Sequence, residues 1–72
     1  MTSTTITIRE REILRLVANE YSSKEIAHRL NISDHTVQSH RQNLMVKFKV
    51  KNTAGLVRQG FERGILQLQD KY

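Results

Sequence analysis

The chain contains no cysteine, no proline and no tryptophan. Without cysteine there is no disulfide framework, no thiolate nucleophile and no Cys-based zinc site. The longest apolar runs are three residues, Leu16-Val17-Ala18 and Leu44-Met45-Val46. Neither a membrane span nor a signal-peptide core can be built from them. Only Tyr21, Phe48, Phe61 and Tyr72 are aromatic. Acidic residues are scarce and unevenly placed: none lies between Asp34 and Glu62, where Arg41, Lys47, Lys49, Lys51 and Arg58 all fall. Seventy-two residues make one domain. A chain this short buries only about 60% of its unfolded surface, which excludes enzymes that need a deep cleft built from several layers.

What is present is 27 apolar residues, enough for one small core, and a formal net charge of +5. The expected domain is small, soluble and intracellular, with nucleic acid as the first partner to consider. Residues 1–5 are expected to form a disordered tail, 6–68 the folded domain and 69–72 a frayed C-terminus. The β-branched run from Thr2 to Ile8 has no second strand to pair with. The fold class is therefore all-α, with four helices.

Thr7 and Glu10 have capping-box spacing and start the first helix. Ile13, Leu14, Val17, Ala18 and Tyr21 form its apolar stripe, and it ends near Asn19 or Glu20. Ser22 and Glu25 make a second box, with Tyr21 and Ile26 as a hydrophobic staple. Ile26, Ala27 and Leu30 face the core, and Asn31 is a left-handed stop. Ser33 caps the third helix, with Ile32 and Val37 as its staple. On a wheel of about 100° per residue, Val37, Leu44 and Phe48 share one seam, while His35, Ser39, Gln42 and Val46 lie opposite. The fourth helix runs from Asn52 or Thr53 to Arg63, with Gly64 as the stop. Leu56, Val57 and Phe61 face inward, and Ile65, Leu66 and Leu68 return to the core. Gly55 and Gly60 each cost about 1 kcal/mol relative to Ala, which makes this helix the weakest.

A helix, a connection from Asn31 to Ser33 and a second helix have helix-turn-helix spacing. The connection is too short for antiparallel packing, so the third helix projects, in a shape suited to a major groove. The segments Ile6–Leu14, Ser22–Ala27 and Ile32–His40, continued by Lys47-Phe48-Lys49-Val50 and Asn52, resemble the LuxR-type helix-turn-helix family. The resemblance covers about Ile6 to Leu66. It implies a four-helix DNA-binding domain, usually the C-terminal output of a bacterial transcription regulator. Such domains bind as homodimers, commonly paired through the last helix. Departures are Glu20 where the family usually has Gly, Phe48 for Leu, Thr53 for Arg, and Gly55 and Gly60.

The resemblance implies that Gln38, Ser39 and Gln42 contact base edges, and the wheel independently turns Ser39 and Gln42 outward. A Gln amide can pair bidentately with adenine. Lys24, Thr36, His40, Arg41 and Lys47 are the implied phosphate contacts, which position the helix without reading sequence. The plainer alternatives are solvated polar side chains for the first set and an ordinary charged surface for Arg41 and Lys47. For His40 the alternative is packing beside the core seam, and His35 is open between DNA contact and solvent. Arg9 with Glu10 or Glu12 reads as structural. Gly55, Arg58, Gln59 and Glu62 are the candidate dimer face. Double-stranded DNA is the implied partner, with a regulatory domain and RNA polymerase as protein partners, no membrane and a cytoplasmic place.

Ser33-Asp34-His35 is not a hydrolase triad, because neighbours on a helix point about 100° apart. His28, His35 and His40 lack same-face spacing and carboxylate neighbours for zinc. No enzyme activity, cofactor or metal is expected. A rival reading is a helical module that docks an acidic protein partner, but the outer face of the third helix lacks the large apolar anchors such docking uses. RNA binding lacks exposed aromatics for base stacking.

Overall fold

The computed structural model describes residues 5–68. The expectations for the two ends fall largely on residues 1–4 and 69–72, outside the described residues. Four helices follow in order: α1 (Ile8–Ala18), α2 (Ser23–Leu30), α3 (Asp34–Phe48) and α4 (Thr53–Glu62). Among the described residues no helix is long and apolar enough to cross a membrane.

The starts are set by side chains satisfying free amides. At α1, the Glu10 amide donates to Thr7 Oγ1 (3.0 Å) and the Thr7 amide to Glu10 Oε1 (2.9 Å). At α2, Ser22 and Glu25 repeat the exchange at 3.1 and 2.8 Å. Ser33 Oγ accepts from the Thr36 amide (3.0 Å) at α3, and Asn52 Oδ1 from the Gly55 amide (2.9 Å) at α4.

The ends share one device. After α1 the Tyr21 amide reaches the Leu16 carbonyl and the Glu20 amide the Val17 carbonyl. The same nested pair recurs as Ile32 to Ala27 with Asn31 to His28, as Val50 to Met45 with Lys49 to Val46, and as Ile65 to Gly60 with Gly64 to Phe61. This is the Schellman closure, which needs a left-handed residue in the middle. Those residues are Glu20, Asn31, Lys49 and Gly64, with φ of 71°, 56°, 57° and 76°. Glu20 thus occupies a position that favours glycine, while Lys49 was not recognisable as a stop from its side chain.

Helix α1 packs against each of the other three, and α3 packs against α2 and α4. Two apolar clusters result. One joins Ile13, Leu16, Val17, Ile26, Ala27 and Val37, with Tyr21 and Ile32 packed on it. The other joins Leu14, Leu44, Phe48, Leu56 and Leu66. Val57 touches both. Both expected staples therefore lie on the first cluster.

Four expectations need correction. Leu16, outside the expected stripe, is fully buried. Phe61 is exposed rather than inward, and Leu68 is exposed while Leu66 alone of the three C-terminal apolar residues is buried. Gly60 is a packing requirement. A Cβ there would stand 2.6 Å from Leu66 Cδ1 and 3.2 Å from Leu14 Cδ2, and such overpacking costs about 1–3 kcal/mol, at least as much as the roughly 1 kcal/mol that the helix propensity of Ala would return. Gly55 is similarly close, with a Cβ 3.0 Å from that of Val50.

Candidate nucleic-acid interface

α3 is held from three sides and open on the fourth. Its seam of Val37, Leu44 and Phe48 is buried. The Arg63 guanidinium lies 4.6 Å from the centre of the Phe48 ring, so the enlarged side chain is covered by a cation. Across α3, His35, Gln38, Ser39, Gln42, Asn43 and Val46 are exposed. The three expected base-reading residues thus share one solvent-facing surface that carries no acidic side chain beyond Asp34 at its first turn.

Two of the expected phosphate contacts have internal partners. Arg41 is half-buried. It donates from Nη1 to Ser23 Oγ (3.2 Å) and from Nη2 to Thr53 Oγ1 (2.7 Å). Ser23 and Thr53 are the first residues of α2 and α4, so one guanidinium ties the starts of two helices to the middle of α3. A planar fork with five N–H donors suits this, and a lysine cannot imitate it.

Lys47 lies at the other end of α3. Its Nζ is 2.7 Å from Glu10 Oε1 and donates to the Thr5 carbonyl at 3.3 Å. Glu10 is 4% exposed, so a buried carboxylate both closes the α1 capping box and anchors the base of α3. Burial alone pushes its pKa up. The hydrogen bonds from Lys47 and the Thr7 amide, with the charges of Lys47 and His40, outweigh that and hold it below the ordinary carboxylate value. Arg9 pairs with Glu12 at 3.3 Å, not with Glu10, so the interhelical bond runs through Lys47. These long-range partnerships join residues 12, 18 and 37 apart, and no local spacing signals them.

The remaining expected contacts lie on α2 and α3. Lys24 is exposed in the first turn of α2. Thr36 Oγ1 is 2.8 Å from Ser33 Oγ, a hydrogen bond in which either hydroxyl can donate. His40 is half-buried. The candidate dimer residues stand apart, on α4. Gly55, Arg58, Gln59 and Glu62 all line one open groove of about 360 Å³. Glu62 accepts from Arg58 Nε (3.0 Å) and Gln59 Nε2 (3.1 Å), and Gln59 accepts from Arg63 Nε (3.0 Å).

Comparison with known proteins gives consistent matches. Residues 4–59 match the family model described as bacterial regulatory proteins, luxR family. The chain is 44% identical over 61 residues to the transcriptional regulatory protein MctR of Rhizobium johnstonii, covering 85% of this chain and 28% of that one. The solved structure of the transcription factor GerE superposes with a TM-score of 0.86 at 35% identity, covering 94% of this chain and all of that one. A Vibrio cholera VqmA–ligand–DNA complex gives 0.83 at 27% identity, covering 99% of this chain and 31% of that one.

Proposed function

The chain belongs to the luxR family of bacterial regulatory proteins, and from that premise we propose that it binds double-stranded DNA sequence-specifically to regulate transcription. In this reading α3 enters the major groove. Gln38, Ser39 and Gln42 meet base edges, the Gln amides pairing with adenine or its equivalents. Lys24, Thr36 and His40 meet the phosphate backbone. Arg41 uses two donors internally and offers others to phosphate. Lys47 acts chiefly by fixing α3 through Glu10 and adds to the positive field.

The observation that carries the proposal is the contrast on α3: a polar, exposed, nearly acid-free face backed by a seam and two cations that fix its position. VqmA, a structural relative, is described in complex with DNA. Two copies, paired through the α4 groove, place two α3 helices about one helical turn apart on an inverted repeat. A regulatory domain and RNA polymerase are the protein partners in this reading, and the cytoplasm is its place.

The test is selection from a random pool of short duplexes, with anisotropy at several salt concentrations. The expected result is an enriched inverted repeat. With about four to six phosphates neutralised per subunit, the slope of log affinity on log salt is about −0.9 per phosphate. No binding at low salt would overturn the proposal. Sedimentation of the protein with and without the enriched duplex tests pairing, and a monomer in both conditions removes the dimer.

A further inference from the structure

Among the described residues, Ile8, Val46, Phe61 and Leu68 are large, apolar and exposed. Ile8 opens α1, while Phe61 and Leu68 lie at the end of α4 and beyond it. Val46 is different, being 68% exposed in the interior of α3 on the face that carries Ser39 and Gln42. Neither apolar cluster includes it, although both draw on α3 and the adjacent Met45 packs on the second. Nor does helix formation call for it, because a β-branched residue is a weaker helix former than the Lys, Gln or Ala that would serve at a solvated site.

We infer that Val46 is a specificity-determining residue that takes the 5-methyl group of a thymine in the major groove. The inference rests on the DNA reading above. Position supports it first. At about 1.5 Å rise and 100° per residue, Val46 stands roughly 6 Å beyond Gln42 and 40° around from it. With the axis of α3 along the groove floor, a groove that holds Gln42 against a base edge brings Val46 against one about two base pairs further on, at 3.4 Å per step. Chemistry supports it second. The Val46 side chain has no donor or acceptor, and of the features a base pair shows in the major groove only the thymine methyl is apolar. Charge supports it third. Val46 is followed by Lys47, Lys49 and Lys51, with no acidic residue from His35 to Phe61, so its surroundings favour an anionic partner over a neutral or basic one.

The experiment uses the duplex enriched by selection, with each thymine replaced singly by deoxyuridine, which removes only the methyl. Wild type and Val46→Ala are compared on each. The expected result is one thymine per half-site whose methyl wild type prefers by about fourfold, the effect of one buried carbon, a preference absent from Val46→Ala. Ala is the better helix former, so the variant is expected to fold, and circular dichroism checks it. An enriched duplex on which every uracil substitution is neutral, or on which Val46→Ala keeps the methyl preference, overturns the inference and leaves the DNA reading standing. Uniform weakening by Val46→Ala with no change in methyl preference also overturns it, assigning Val46 to sugar or backbone packing. If no duplex is enriched, the DNA reading fails and the inference fails with it.

Discussion

The two sides of α3 have almost opposite properties. The inner side holds Val37, Leu44 and Phe48 in the core, and its flanks hold Arg41 and Lys47, whose polar atoms bond to Ser23, Thr53 and Glu10. The outer side presents Gln38, Ser39, Gln42 and Val46 to solvent. A reading surface must keep its hydrogen-bonding groups available, and availability contributes nothing to folding. The stability of α3 has to come from elsewhere, and it comes from behind and from the two tied cations. The difference teaches that positive charge in a basic segment is not one population. Some of it is structural, and only the geometry separates it from the part that can meet phosphate.

The division breaks first where the inner side is cut. Leu44→Ala removes a fully buried side chain from the second cluster and should cost about 2–5 kcal/mol, measured by thermal or urea unfolding. In a domain this small that is enough to leave much of the chain unfolded at 37 °C. A loss below 1 kcal/mol combined with a changed operator preference would show that the two sides are not separate.

Lys47→Met cuts the tie without removing much volume. It leaves the Glu10 carboxylate buried without its cation, for about 1–3 kcal/mol, discounted because Lys47 is itself a third exposed. The pH dependence sharpens the test. The folded pKa of Glu10 lies below its unfolded value, so the linked stability is present above about pH 4.3. It is lost as pH falls through the folded value. Wild type should lose this increment on acidification, and Lys47→Met should lose less of it. A variant with wild-type stability and a flattened salt slope for DNA would instead assign Lys47 to phosphate.

The outer side is cut by Gln42→Ala. Fold stability should stay within about 0.5 kcal/mol, because the side chain is exposed. Discrimination at one base pair should fall by about 1–3 kcal/mol, seen by repeating the selection with the variant. Equal weakening on all sequences would return Gln42 to the set of positioning residues.

Much of this was legible because it is local. Two capping boxes, the Ser33 cap and the Asn31 stop are set by residues three to five apart, and the wheel separated Val37, Leu44 and Phe48 from Ser39 and Gln42. What was not legible depends on distant partners. Nothing near Arg41 in sequence announces Ser23 or Thr53, and Lys47 meets Glu10 only because α1 and α3 pack together. Gly60 looked like a weak point of α4 because a propensity scale cannot see Leu66 and Leu14 pressing on it. Phe61 followed the helical period yet stands at the rim, since α4 has only α1 and α3 to cover it.

The smallest expected effect has the opposite sign. Four helices end in the same closure, but only Gly64 meets its left-handed residue without steric cost. For an ordinary side chain that conformation costs about 1–2 kcal/mol, and Asn at 31 tolerates it better than most. Glu20 and Lys49 carry the full cost. Glu20 is exposed and lies in the turn between α1 and α2, outside the proposed reading helix α3. Glu20→Gly removes the clash but gives the unfolded chain more freedom, so the net gain should be about 0.5–1 kcal/mol. Lys49→Gly relieves the same strain at the end of α3 while also removing a cation near the proposed duplex. The pair is therefore a matched control. Both should stabilise the fold in urea titrations, and only Lys49→Gly should weaken DNA binding, most visibly at low salt. If Glu20→Gly destabilises the domain, the closure of α1 depends on the Glu20 side chain rather than enduring it. If both variants bind equally well, the positive field does not extend past the end of α3.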